Sequence, residues 1–189
     1  MIIVVGMHRS GTSTVAGLLH QGGVCMGEDR ALLPAPSDEN PHGFFENHRF
    51  RLLNDRIAER RGYRIKSWQP QIPPCRPRLL TRRRMRRLLR EYQDRYPFWG
   101  FKDPRTCLTL GAWLEEIQRV AGPGAARVVF CARSPGAVAH SLARRDGLDV
   151  PTALRLWTLY NERALAALDA WGPPAHYLSY EELCRRPAA

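Results

Sequence analysis

The segment from Ile2 to Gln21 constrains this chain most. Four β-branched residues, Ile2-Ile3-Val4-Val5, run directly into Gly6-Met7-His8-Arg9-Ser10-Gly11-Thr12-Ser13. A continuous β-branched run without polar alternation is what a strand buried on both faces requires, as in a parallel sheet. Thr12–Gln21 then places Val15, Leu18 and Leu19 at helical spacing, and Gly22-Gly23 stops the helix. A strand, a glycine-framed loop and a helix in immediate succession leave few folds open.

The rest of the chain repeats the alternation. Residues 27–45, with Pro34, Pro36 and Pro41, are expected to form a long loop, and 46–61 a helix through Phe50, Leu53 and Ile57. Pro70–Pro77 is a break, followed by a basic helix over Leu79–Tyr96. Strands are expected at Phe98–Lys102, Ala126–Ala132 and Ala175–Leu178. Helices are expected at Leu108–Val120, from about Pro135, and over Val150–Trp171, the last burying Leu154, Trp157, Tyr160, Ala164, Leu165 and Leu168. The implied fold is α/β, a three-layer sandwich around a central parallel sheet, in one domain at 189 residues. Ligands of such folds sit at the carboxyl ends of the strands.

Composition excludes some classes. Hydrophobic residues at 44% and charged residues at 25% are ordinary for a globular chain, and no apolar stretch is long enough to span a bilayer. Met1 opens directly into the first strand without a basic leader, so a cytoplasmic protein is expected. Five widely spaced cysteines without a Cys-x-x-Cys pair support neither a disulfide framework nor a zinc site, and no metal is expected. Net charge is +11, and Lys66 and Lys102 are the only lysines among 29 basic residues. Such a balance favours polyanionic partners.

Gly6 and Gly11 frame a loop whose amides can converge on an anion, aided by the partial positive charge of the helix N-terminus. The spacing is that of a nucleotide-binding P-loop, except that Thr12 occupies the position of the lysine. In a kinase that lysine reaches the β- and γ-phosphates, so its replacement argues against ordinary nucleoside-triphosphate chemistry. The run Gly-x-x-Arg-Ser-Gly-Thr-Ser resembles the phosphosulfate loop of the sulfotransferases that use 3′-phosphoadenosine 5′-phosphosulfate (PAPS). The resemblance implies that Arg9, Ser10, Gly11, Thr12 and Ser13 hold the 5′-phosphosulfate, with Arg9 also acting as a catalytic cation.

A second anion-binding element follows the strand ending at Ala132. Arg133 leaves the strand, Pro135 starts a helix, and Ser141 lies on that helix. A planar guanidinium and a hydroxyl can grip one phosphate from two sides. This Arg-x-Pro-x₅-Ser arrangement resembles the family's site for the 3′-phosphate, the group that separates PAPS from ATP. The strand and Tyr-Glu-x-Leu at Tyr177–Leu183, and the aromatics Trp157 and Tyr160, are similar to the family as well, and are expected to pack the core. Many family members continue past the point equivalent to Ala189 into a segment that closes over the 3′-phosphate.

Sulfuryl transfer needs a base for the acceptor's proton and a cation for the developing charge on the leaving oxygen. Lys102, at a strand end in Lys102-Asp103-Pro104-Arg105, is the expected cation, and the segment resembles the Lys-Asp-Pro of tyrosylprotein sulfotransferases. Glu46 is the expected base, in an apolar neighbourhood that would raise its pKa. His48 and His42 are the other candidates. Arg76–Arg95 carries nine arginines over an apolar stripe of Leu79, Leu80, Met85, Leu88 and Leu89. It is expected either to be a solvated face or to meet an acidic acceptor or other polyanion. No nucleic-acid-binding motif accompanies it. The alternatives to a sulfotransferase are a P-loop small-molecule kinase and a non-catalytic basic binding module.

Overall fold

The computed structural model describes residues 1–28, 31–32, 43–60 and 62–186. Its centre is a four-stranded sheet of β1 (Ile2–Val5), β2 (Gly100–Lys102), β3 (Arg127–Ala132) and β4 (Ala175–Ser179). The order is β2-β1-β3-β4 and every pairing is parallel. Helices connect and cover the strands: α1 (Thr12–Gln21), α2 (His48–Glu59), α3 (Leu79–Arg95), α4 (Thr106–Ala121), α5 (Pro135–Asp146), α6 (Val150–Trp171) and α7 (Tyr180–Arg185). No helix among the described residues is long and apolar enough to cross a membrane.

Both faces of the sheet are apolar because successive strand residues point to opposite sides. Ile3 and Val5 of β1, with Val128 and Phe130 of β3, enter the larger core with residues of α2, α3, α4, α5 and α6. Val4 and Cys131 enter a smaller core with Val15 and Ala16 of α1 and Met26, which Leu183 of α7 also borders. Helices therefore flank the sheet on both sides, as the unbroken β-branched strand at Ile2–Val5 required. In the larger core Phe50 stacks on Phe101 at a centroid separation of 4.2 Å, and Trp113 packs against both rings. Its indole N–H is satisfied at 2.8 Å by Asn54 Oδ1.

Several boundaries and faces differ from expectation. The second helix starts at His48 instead of Glu46, because the Asn47 side chain accepts the Arg49 amide at 3.0 Å and caps it. The second strand is shorter, and Phe98 is 72% exposed outside it. On α6 the buried residues are Ala153, Leu156, Tyr160, Asn161, Ala164 and Leu168, while Leu154 and Leu165 are exposed. Small Ala153 and Ala164 face the core, where α4 and α5 crowd against α6. On α1, Leu18 is exposed and Ala16 takes its place inward. On α3, Leu79 and Leu80 are exposed, and Thr81, Met85, Leu88, Leu89 and Tyr92 form the buried stripe.

The sheet order has a consequence for function. β1 lies in the middle with β2 on one side and β3 on the other. Connections that depart in opposite directions from a central strand open a crevice at its carboxyl end. The residues after β1, the last residue of β2 and the first after β3 are Gly6, Lys102 and Arg133.

Candidate functional site

A cavity of about 190 Å³ occupies that crevice. The loop from β1 forms its floor. A Cβ at Gly6 would lie 2.5 Å from the Cys131 carbonyl oxygen, so a side chain there would push the loop off β3. Gly11 has φ +81°, and a Cβ there would lie 2.0 Å from the Tyr180 ring. Gly11 is also the N-cap of α1, and no side chain caps this helix end. Gly11, Thr12, Ser13 and Thr14 line the cavity. The amides of a first helical turn have no intrahelical acceptor and carry roughly half a positive charge in total. This helix end therefore presents free donors and positive potential to whatever enters.

Cationic side chains reach the same cavity from three directions. Arg9, in the loop at φ +69°, donates from Nε to Ser141 Oγ at 2.8 Å. Arg133, after β3, donates to the Arg9 carbonyl oxygen at 2.9 Å, and its guanidinium lies 4.9 Å over the Tyr180 ring. The Arg133 carbonyl in turn accepts from Trp157 Nε1 at 3.0 Å, so α6 holds it. The two anion-binding elements expected separately from the sequence are one linked surface.

Lys102 arrives from the end of β2 and is only 2% exposed. Its ammonium donates to Ser13 Oγ at 3.0 Å, the Phe44 carbonyl at 3.1 Å and Glu46 Oε1 at 2.9 Å. Thr12 left this loop without a lysine, and the sheet supplies one from the neighbouring strand. Glu46 sits beside it because its backbone pairs with Lys102 as an isolated parallel bridge.

The apolar neighbourhood expected for Glu46 is not what surrounds it. Its second oxygen lies 3.5 Å from Arg105 Nη1, so the carboxylate stands between two cations. Arg105 also pairs with Asp103 at 2.9 Å and Asp55 at 2.8 Å. Burial works against the Arg105 charge, but Asp103, Asp55 and Glu46 outweigh it and raise its pKa above the usual arginine value. Asp103 is fully buried and accepts from Asn54 Nδ2 at 2.8 Å. Charges this deep persist when they are paired and hydrogen-bonded throughout.

Placement of the expected residues is uneven. Arg9, Gly11, Thr12, Ser13, Glu46, Lys102 and Arg133 all line the cavity. Ser10 does not: its amide closes a turn on the Met7 carbonyl at 3.1 Å, and its buried hydroxyl has no hydrogen-bond partner among the described residues. Ser141 is buried and reaches the cavity only through Arg9. His48 is exposed at the start of α2 and lines neither this cavity nor the next, and His42 lies outside the described residues. None of the nine arginines in Arg76–Arg95 lines either cavity.

His8 and Arg145 line the cavity without having been assigned a role from the sequence, and Tyr180, expected in the core, lines it as well. Tyr180 directly follows β4, so its place at a strand's carboxyl end is the sequence signal for it. His8 is held edge-on by Trp68 and Tyr160, with centroids 5.3 and 5.8 Å away. Burial, then the charges of Arg105, Arg145, Lys102 and Arg9, hold its pKa well below the ordinary histidine value. The imidazole is neutral.

A second cavity of about 350 Å³ adjoins the first and shares His8, Phe44, Glu46 and Arg145 with it. Among those four, Glu46 is the carboxylate. The arrangement can bind an oxyanion on the loop and set a proton acceptor between that anion and a second compound. No three histidine, cysteine, aspartate or glutamate side chains converge as metal ligands among the described residues. No family model matches the sequence, and no curated protein and no solved structure matches the chain.

Proposed function

We propose that the protein is a PAPS-dependent sulfotransferase with a P-loop-type site, moving a sulfuryl group to an acceptor hydroxyl or amine. The observation that carries this reading is the convergence of an uncapped helix N-terminus, Arg9, Lys102 and Arg133 on one cavity with Glu46 at its border. The donor set suits a compound that carries more than one anionic group. The amides of Gly11–Thr14, with Arg9, would hold the 5′-phosphosulfate, and Arg133 would hold the 3′-phosphate.

PAPS would supply an activated sulfur: the acceptor oxygen bonds to it, the bond to the 5′-phosphate oxygen breaks, and that oxygen keeps the electron pair. Lys102, fixed beside Ser13, places its charge against the group held by the loop. Glu46 takes the acceptor's proton, since it lines both cavities while its partner Lys102 faces the loop. Ser141 orients Arg9, and Trp157 orients Arg133.

The test is incubation of the full chain with PAPS and a panel of hydroxyl and amine acceptors in excess chelator, with mass spectrometry of the products. Sulfuryl adducts formed under chelation support the reading. One observation favours a second reading: Lys102 supplies from β2 the lysine that Thr12 lacks. A kinase using that lysine requires magnesium to neutralise its polyphosphate. Transfer from ATP that stops with chelator and returns with magnesium would replace the sulfotransferase reading.

A further inference from the structure

We infer that the second cavity is the acceptor pocket, and that it selects a hydroxyl-bearing ring compound carrying an oxyanion: a carboxylate, phosphate or sulfate. The inference rests on the sulfotransferase reading for its acceptor role. Binding selectivity stands on the pocket alone.

Charge in this pocket is not balanced evenly. Four cations line it: Arg51, Lys66, Arg105 and Arg145. Arg105 is matched by Asp103, Asp55 and Glu46, and Arg145 by Asp146 at 2.7 Å. Arg51 and Lys66 form no salt bridge among the described residues, although Arg51 is near enough to favour the Asp55 carboxylate and Lys66 is exposed. The Arg51 Nε is buried and has no hydrogen-bond partner among them. A buried donor without an acceptor is costly to keep, and a ligand oxyanion would remove that cost. A guanidinium and an ammonium lining one pocket suit a planar or tetrahedral oxyanion, since the arginine can donate two parallel N–H bonds while the lysine adds a point charge.

A separate observation supplies the ring. Trp68 follows the 3₁₀ turn Ile65–Ser67 and adopts the left-handed conformation at φ +53° and ψ 25°. A bulky residue held in that region is strained and persists only where its surroundings over-determine it, as at ligand sites. Its ring lines the pocket and stands at 83° to the His8 ring. A broad indole lining the same pocket as Arg51 and Lys66 fits a sugar or aromatic ring with an anionic substituent. Glu46 and His8 lie at the border with the loop cavity, so a hydroxyl on the far side of that ring would point toward the transferred group.

The experiment is calorimetric titration of the full chain, saturated with adenosine 3′,5′-bisphosphate, using phenyl β-D-glucuronide, phenyl β-D-glucoside and phenyl phosphate. The glucuronide is expected to bind at least tenfold more tightly than the glucoside. Phenyl phosphate is likewise expected to bind more tightly than the glucoside, since the pocket selects the oxyanion and not the carboxylate alone. The double variant Arg51→Gln and Lys66→Gln, with its melting temperature retained, is expected to erase the difference between glucuronide and glucoside. Trp68→Ala is expected to weaken both glycosides about tenfold. Arg51→Lys keeps the charge and is expected to keep part of the preference. Equal binding of glucuronide and glucoside by the unaltered protein, or a preference unchanged in the double variant, would overturn the inference. Selective glucuronide binding without any bisphosphate binding would overturn the acceptor role while leaving the selectivity intact.

Discussion

Positive charge is concentrated in two regions of this molecule, α3 and the cavity at the sheet's carboxyl end, and they use it in opposite ways. On α3 the arginines are spread around the helix. Arg82 and Arg86 turn inward to the fully buried Glu116 at 2.6 and 2.9 Å, and Arg95 pairs with Glu28 at 2.8 Å. Arg83, Arg84, Arg87 and Arg90 face water. At the cavity, cations from a loop, from β2 and from the residue after β3 converge on one volume, and backbone carbonyls and hydroxyls hold them there. The densest run of charge in the sequence therefore does not line the cavity. What makes a site is convergence of few charges with fixed geometry, because burial strengthens each interaction and prevents water from screening it.

The largest expected effect comes from Lys102. Lys102→Met leaves Glu46 buried with Arg105 as its remaining partner, which should lower stability by about 3–5 kcal/mol in chemical denaturation. Adding Glu46→Gln should recover much of that loss. If Lys102→Met is neutral, the cavity is no better organised than α3. Gly11→Ala comes next. Its φ of +81° costs a side chain about 1–2 kcal/mol, and the Tyr180 ring, 2.0 Å from the added carbon, must move. Loss of anion binding should accompany the loss in melting temperature.

His8 gives a smaller, pH-dependent signal. Its pKa is held well below the ordinary value of about 6.5 in the folded chain, whereas the unfolded chain titrates near that value. Above about pH 6.5 both states are neutral at this residue and it contributes nothing to the pH dependence. As the pH falls below that value, the unfolded chain takes up a proton that the folded chain refuses, so stability is lost on acidification. His8→Gln should therefore lose less melting temperature between about pH 7 and pH 5 than the unaltered protein. An equal loss would remove His8 from the cation cluster. The smallest effects belong to α3: Arg83→Ala, Arg84→Ala and Arg87→Ala should each change stability by less than about 0.5 kcal/mol.

The two regions also differ in how far they could be read in advance. The strand at Ile2–Val5, the helix at Thr12–Gln21 and the helix at Val150–Trp171 were legible because β-branched runs, helical periodicity and glycine stops are local signals. Which face of α6 is buried was not, since small residues face inward where three helices crowd, and periodicity ranks leucine above alanine. Lys102 and Arg133 were legible as candidates because each stands at a strand's carboxyl end, and Arg9 because its loop resembles the phosphosulfate loop; all three line the cavity. Glu46 was found, but its cationic surroundings were not: they depend on Arg105, folded back by Asp103 and Asp55. Ser10 and Ser141 line up with the site in sequence, yet only tertiary structure could show that one is turned under the loop and the other acts through Arg9.

The most direct measurement is calorimetric titration of adenosine 3′,5′-bisphosphate into three proteins: the unaltered chain, Arg133→Ala, and the triple variant Arg83→Glu, Arg84→Glu and Arg87→Glu. The account predicts tight binding by the unaltered chain, undiminished binding by the α3 variant, and a loss of roughly 10- to 100-fold for Arg133→Ala, the value of a charge-assisted hydrogen bond. AMP, which lacks the 3′-phosphate, should bind more weakly than the bisphosphate and should lose little on Arg133→Ala. Binding that survives Arg133→Ala and collapses in the α3 variant would contradict the account.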